Sequence, residues 1–201
     1  MPTGVPVRLE CVSLAVLLTA CAPSIPGADD KTGTTGTTGA TTTDSGDTLP
    51  GPVETYRLYI NELMASNSSV AVDPDDDTAT PDWIELHNPS PNDVDLSGFT
   101  VTDDLDNIRM HTLDDLIIPA EGFLVLLADD TSGGVHLPFK LSSESDAFGL
   151  FDPDGVAVDR VEFSSLDDDQ VAGRHPDTGP LVLLSEPTPG ASNDTADVLE
   201  Q

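Results

Sequence analysis

Asp82-Trp83-Ile84-Glu85-Leu86-His87-Asn88 is the run that decides the fold: Ile84 and Leu86 fall on one parity, and Trp83, Glu85 and His87 on the other. Successive side chains of a strand point to opposite faces, so the run reads as a strand with one apolar side. Similar short apolar runs, punctuated by Asp, Pro, Gly and Ser, recur over residues 56–65, 94–102, 108–111, 122–128, 135–141, 147–151, 156–163, 170–174 and 181–184. No window holds a helical period for more than two turns. Many short strands at this spacing predict an all-β fold, an antiparallel sandwich or barrel. The pairs Leu58 and Ile60, Ile84 and Leu86, Phe99 and Val101, and Phe148 and Leu150 each share a face and are the predicted core. After the Asp152-Pro153-Asp154-Gly155 turn, Val156 and Val158 have one parity, Val161 and Phe163 the other. That change predicts a bulge at Asp159-Arg160, or else a strand buried on both faces with a partner for Arg160.

Outward from this domain the texture changes. Residues 1–21 carry Arg8 ahead of an apolar run from Cys11 to Leu18, too short to span a bilayer. The run ends in Leu18-Thr19-Ala20-Cys21, which resembles the bacterial lipobox, where an apolar residue and two small ones precede the cysteine that becomes lipidated. Residues 1–21 therefore read as a lipoprotein signal peptide and Cys21 as the lipidation site; a plain secretory signal is the alternative. Residues 22–53 are rich in Thr, Gly and Asp and cannot repay the entropy of folding. They form a predicted disordered linker with a reach on the order of 30 Å. Residues 54–193 make the predicted sandwich domain, about 140 residues and large enough for a core without disulfides. Residues 194–201 are a predicted disordered tail.

Of the 37 acidic residues among 201, 28 are Asp and 9 are Glu, against 7 Lys and Arg, for a formal net charge of −30. Such a surface repels phosphate backbones, so nucleic acid is excluded as a partner. Asp favours turns because its short carboxylate bonds nearby backbone amides.

Several segments together resemble one family. They are Ile60-Asn61-Glu62-Leu63-Met64-Ala65-Ser66-Asn67, the run at 82–88 with Pro89, and Val94-Asp95-Leu96-Ser97-Gly98-Phe99. Later come Ile118-Pro119-Ala120-Glu121-Gly122-Phe123, Asp152-Pro153-Asp154-Gly155, Gly173-Arg174-His175-Pro176 and Pro187-Thr188-Pro189-Gly190-Ala191-Ser192-Asn193. In this order they are similar to bacterial lamin tail domains. The resemblance implies an immunoglobulin-like antiparallel β-sandwich that is not an enzyme and serves as an interaction or structural module. The coiled-coil rod of nuclear lamins and any companion hydrolase are absent, so functions inferred from those parts do not transfer.

Chemistry is sparse. The domain has no cysteine, H-E-x-x-H, G-x-S-x-G or Walker loop, and His87, His111, His136 and His175 have no paired ligand spacing. Glu85 and His87 share a face, as a catalytic dyad or as partners of a cross-strand cation such as Arg109 or Arg174. Arg174 is a candidate carboxylate clamp, and Trp83 is expected to cap a sheet edge or pack beneath the preceding loop. Strict antiparallel alternation gathers Asp73, Asp75, Asp77, Asp103, Asp104 and Asp106 at one end of the sandwich, with Asp129, Asp130, Asp152 and Asp154. The first six form a candidate calcium site; the alternative is exposed turn residues that only keep the surface soluble. No other cofactor is implied. The expectation is a non-catalytic protein held at the outer membrane or cell surface by lipid on Cys21, displaying its domain to an unidentified protein or envelope partner. The rival is an accessory domain or degenerate hydrolase holding a divalent metal at the acidic end.

Overall fold

The computed structural model describes residues 9–11 and 56–200. Cys21, the 22–53 linker, the rest of the leader and Glu54 lie outside the described residues. In chain order the strands are β1 (Leu9–Cys11), β2 (Tyr59–Met64), β3 (Asp82–Asn88), β4 (Val94–Asp95), β5 (Thr100–Thr102), β6 (His111–Thr112), β7 (Ile117–Ile118), β8 (Gly122–Ala128), β9 (His136–Leu137), β10 (Ser145–Phe151), β11 (Ala157–Ser164), β12 (Val171–Arg174) and β13 (Leu181–Leu184). One short 3-10 turn, Asn193–Thr195, follows them, starting at the last residue of the expected domain and running into the stretch expected to be disordered tail. Among the described residues no helix is long and apolar enough to cross a membrane.

Two sheets carry the fold. The first has the order β1-β11-β10-β5-β6 and the second β13-β12-β2-β3-β8-β9, with β4 and β7 forming a separate two-stranded ladder. The architecture is an immunoglobulin-like β-sandwich. Ile60, Leu63, Ile84, Leu86 and Leu126 from the six-stranded sheet meet Val101, Phe148, Leu150, Val161 and Phe163 from the five-stranded one in a continuous apolar core. All eight residues predicted from alternation belong to it. A second cluster lies on the outer face of the six-stranded sheet. There Trp83, Met64, Leu127, Val171 and Leu184 are covered by Val70 and Val72 of the β2–β3 loop and by Ala196. Trp83 thus packs beneath the loop that precedes it rather than at a sheet edge.

Four local features depart from the sequence expectation. The predicted 94–102 strand is broken at Leu96–Phe99, where Phe99 N–H donates to Leu96 O at 2.9 Å and Gly98 takes φ +84°. That left-handed conformation suits glycine. Ile117–Ile118, read as loop, instead pairs with Val94–Asp95. Most consequentially, β9 runs parallel to β8, so the strict antiparallel alternation fails. The bulge in β11 is present one residue earlier than expected: Leu150 faces Asp159 while Phe151 faces Ala157, leaving Val158 as the extra residue. Asp159 therefore shares the inward parity of Val161 and Phe163.

Turned inward, the Asp159 carboxylate accepts three hydrogen bonds from the other sheet. Arg174 Nη2 lies 2.8 Å from Oδ2 and 3.1 Å from Oδ1, and the backbone N–H of Ile60 donates to Oδ2 at 2.8 Å. Arg174 Nε donates to Ile60 O at 3.0 Å and Nη1 to Gly179 O at 2.7 Å, while its guanidinium carbon sits 5.4 Å from the Tyr59 ring centroid. Ile60 lies where β2 shifts register against β3, between Ile60 and Glu62. The ion pair thus satisfies the backbone of Ile60, beyond the β2–β12 pair at Glu62 and Gly173, and joins a strand of one sheet to two of the other. Burial raises the Asp159 carboxyl above its ordinary value, against the pull of Arg174 and the backbone donors.

Removing one partner of such a pair leaves a buried charge uncompensated, at a cost of about 3–5 kcal/mol. Arg174→Ala is therefore expected to lower the urea-unfolding free energy by about that amount, and Arg174→Lys by a large part of it because the planar fork is lost. A loss within about 0.5 kcal/mol for Arg174→Ala, the range of an ordinary surface site, would show that the pair is dispensable.

Candidate functional site

Two polar assemblies stand out, one at a loop end and one under the closing segment of the chain. At the loop end, the turn after β8 forms around Asp129, which accepts from Thr131 N–H and Oγ1 and lies 2.8 Å from His136 Nδ1. Burial pushes the Asp129 carboxyl up, but hydrogen bonds from Thr131 and His136 outweigh it and hold the group below its ordinary value. His136 stands at the start of β9, and the β2–β3 loop brings Asp73 and Asp75 to it. One ligand atom from each of Asp73, Asp75 and His136 lies within 4.8 Å of the others.

This is not the predicted calcium set. Asp77, Asp103, Asp104 and Asp106 stand outside the group. Because Thr102 pairs with Gly149 and Thr100 with Phe151, the loop after β5 leaves toward the N-terminal half of β10. The Asp152–Gly155 turn leaves from the other end of β10. The carboxyl of Asp103, raised by burial, has Asp146 and Asp104 as its acidic neighbours. Calcium takes six to eight oxygens, roughly, and two carboxylates beside an imidazole fall short of that. Of the six, Asp73 and Asp104 close their own turns, accepting from Asp75 N–H and Asp106 N–H, as Asp76 does with Thr78 and Asp95 with Ser97.

The second assembly begins at β2 and β3, where the register sets Glu62 opposite Glu85 on the outer face. Both have zero exposure. They are roofed by the closing segment after β13. Thr188 N–H donates to Glu62 Oε1 at 3.0 Å and Oε2 at 3.2 Å, and Thr188 Oγ1 lies 3.2 Å from Oε2. Gly190 N–H donates to Glu85 Oε2, whose other oxygen accepts from Asn61 Nδ2 at 3.0 Å. Asn193 pins the same segment, donating to Asn61 O at 3.1 Å and Arg174 O at 3.0 Å and accepting from Thr188 Oγ1 at 2.6 Å. No room is left over Gly173, where a Cβ would come 2.8 Å from Asn193 Nδ2 and 2.5 Å from Leu184.

Burial drives both carboxyls up. Glu62 is pushed to about 7 against the bonds from Thr188, and Glu85 to about 8 against those from Asn61 and Gly190, with Glu62 and Asp177 adding repulsion. His87, on the same face, is stacked on Phe123 at 4.5 Å and is lowered by burial. Glu85 and His87 share no hydrogen bond, so they are not a dyad. Nor is Glu85 the partner of an arginine: its oxygens are taken by Asn61 and Gly190, and the carboxylate on Arg174 belongs to Asp159.

A layer of acids sealed by backbone amides is an arrangement for holding a segment down, not for acting on a substrate. Residues 54–165 match the family model of the Lamin Tail Domain, more than half of the chain. The chain belongs to the lamin tail domain family. No curated protein matches it. The lamin tail domain is a non-catalytic immunoglobulin-like domain, and it gives this protein a structural or interaction module. The match ends at Ser165, yet in this lamin tail domain β12 and β13 complete the six-stranded sheet and supply Arg174.

Sequence reasoning placed Asp129 at the loop end but missed Glu62, Asp159 and His136. For Asp159 the signal existed, since a bulge placed at Val158 turns that carboxylate inward toward Arg174, the one buried arginine among the described residues. For Glu62 the hint was a lone acid inside the run Tyr59–Met64. His136 carried none, because its neighbours arrive from a loop some sixty residues earlier in the chain.

Since the folded Glu62 and Glu85 carboxyls lie above the ordinary 4.5, the folded lamin tail domain keeps protons that the unfolded chain releases. The stability this gives is complete below about pH 4.5 and is lost as pH rises through about 7 to 8. The Glu62→Gln/Glu85→Gln variant stays neutral throughout. Its melting temperature, followed by circular dichroism, is expected to fall less steeply than wild type between about pH 5 and about pH 8, by several degrees over the window. Parallel curves would mean that the pair does not titrate there.

Proposed function

We propose that this chain is an exported lipoprotein, lipid-anchored through Cys21 at the outer membrane or cell surface, whose lamin tail domain acts by binding or display and not by catalysis. The observation that carries the export reading is Leu18-Thr19-Ala20-Cys21 at the end of a short apolar run, followed by a Thr/Gly-rich spacer that leads into the domain. Two or three acyl chains on one residue hold a protein durably, at about 0.8 kcal/mol per buried methylene. The non-catalytic reading is supported by the family and by the enclosure of Glu62 and Glu85, whose oxygens are committed to the closing segment. Net charge of −30 directs the display toward protein or envelope partners and away from nucleic acid. Ala22, next to Cys21, is not the aspartate that favours inner-membrane retention in enteric bacteria.

Mass spectrometry of the protein recovered from a bacterial host expressing the full chain is expected to show a mature N-terminus at a diacylglyceryl-modified Cys21. Cys21→Ser should abolish both cleavage and modification. An intact N-terminus, or cleavage elsewhere with an unmodified Cys21, removes the anchor. The accessory-domain alternative requires a divalent metal at the acidic loops, where the ligand set is divided as described above. Calorimetric titration with calcium to millimolar concentration is expected to give no heat beyond dilution; a saturable heat lost in Asp73→Asn/Asp75→Asn would revive that alternative.

A further inference from the structure

β11 is an interior strand of the five-stranded sheet only because β1 lies beside it. The pairing is antiparallel, with Leu9 opposite Phe163, Glu10 opposite Glu162 and Cys11 opposite Val161. β1 also runs close to β13, at the corresponding edge of the other sheet. Yet residues 9–11 lie within the leader that the reading of residues 1–21 removes on export. Cleavage therefore strips one strand from the sandwich, and leaves the N–H and C=O row of β11 facing solvent beside two core residues, Val161 and Phe163. Exposed edges of this kind take up another strand or are covered.

The sequence of β11 says what fits. The leader presents apolar-Glu-apolar, Leu9-Glu10-Cys11, and β11 itself carries Val161-Glu162-Phe163 with the same alternation. In an antiparallel ladder, a second β11 related by a two-fold axis through Glu162 sets Val161 opposite Phe163, Glu162 opposite its own counterpart, and Phe163 opposite Val161. These are the three positions that the leader occupies, with apolar residues at the same two of them, and a shift by one would turn the apolar pair to the wrong face. We infer that the mature protein associates with a second copy of itself through β11–β11 pairing at the edge that the leader covers in the precursor. This rests on the leader-cleavage reading. Such an interface is isologous, as a two-fold requires. Lipid anchoring confines copies to one surface and raises their effective concentration, which suits a short, three-position contact. The facing Glu162 side chains repel, so the contact is reversible and not a permanent seal.

Directly opposed side chains in an antiparallel pair have Cβ atoms about 4.5–5.5 Å apart, close enough for a disulfide after slight adjustment. Glu162 is exposed, so Glu162→Cys leaves the core untouched. In a bacterial host making the full chain with Cys11→Ser, mild oxidation should convert more than half of the Glu162→Cys protein to twice its mass on non-reducing gels. Asp114→Cys, exposed beyond β6 at the opposite edge of the same sheet, should give at least fivefold less. When Cys21→Ser also blocks cleavage, the retained leader should keep the Glu162→Cys chain monomeric. A mature, lipidated protein that gives no doubled band, or an equal one from Asp114→Cys, or adducts to a heavier envelope protein instead, overturns the inference and leaves the anchor in place. An uncleaved wild-type leader, read by mass spectrometry of the same sample, overturns the anchor and the inference together.

Discussion

The buried pair between Arg174 and Asp159 is the constraint on which the sandwich depends. Two sheets with apolar inner faces are held together without direction, since burial of methylenes does not care about azimuth or register. The pair supplies direction. It ties a strand of one sheet to two of the other beside the register shifts of both β2 and β11, and it satisfies the N–H and C=O of Ile60. A bulge costs a ladder its regular bonds, and here one charged contact stands beside two such irregularities. Buried ion pairs are seldom net sources of stability compared with apolar replacements, but they discriminate strongly between arrangements that satisfy them and those that do not.

From that corner the order of the outer face follows. With Ile60 fixed, Asn61 becomes the extra residue in β2, and Glu62 is placed across from Glu85 instead of one position away. Two acids facing each other out of water would be untenable without donors. The closing segment provides them through Thr188 and Gly190, backbone amides of a stretch with little else to recommend its path. The partial protonation that burial imposes on these acids reduces their mutual repulsion. The segment and the acids are therefore each other's reason for being where they are.

Much of the sandwich was legible beforehand, because period-two alternation is a direct consequence of strand geometry. The core from Leu58 to Leu150 and the limits of β3 and β8 came from it. What alternation does not carry is partnership. Nothing in His136-Leu137 announces a parallel neighbour, and Ile117–Ile118 is too short to stand out from a loop. The parallel piece undid the assignment of the later loops to ends, and with it the placing of Asp152 and Asp154 beside Asp103, Asp104 and Asp106. The bulge was visible as a parity change but not its position, since moving the extra residue from Asp159-Arg160 to Val158 leaves Val161 and Phe163 unchanged. Only the need to bring Asp159 to Arg174 distinguishes the two, and that is a fact about the other sheet.

The turns closed by Asp73, Asp76, Asp95, Asp104 and Asp129 bear on how this molecule can change. Each carboxylate folds back on an amide two residues ahead, so the bend is encoded within three residues and owes nothing to the interior. An asparagine oxygen makes the same bond without the charge. Shape and electric field are thus under separate control in this protein: its negative surface can be dialled down bend by bend, toward neutrality, with the outline of the domain preserved.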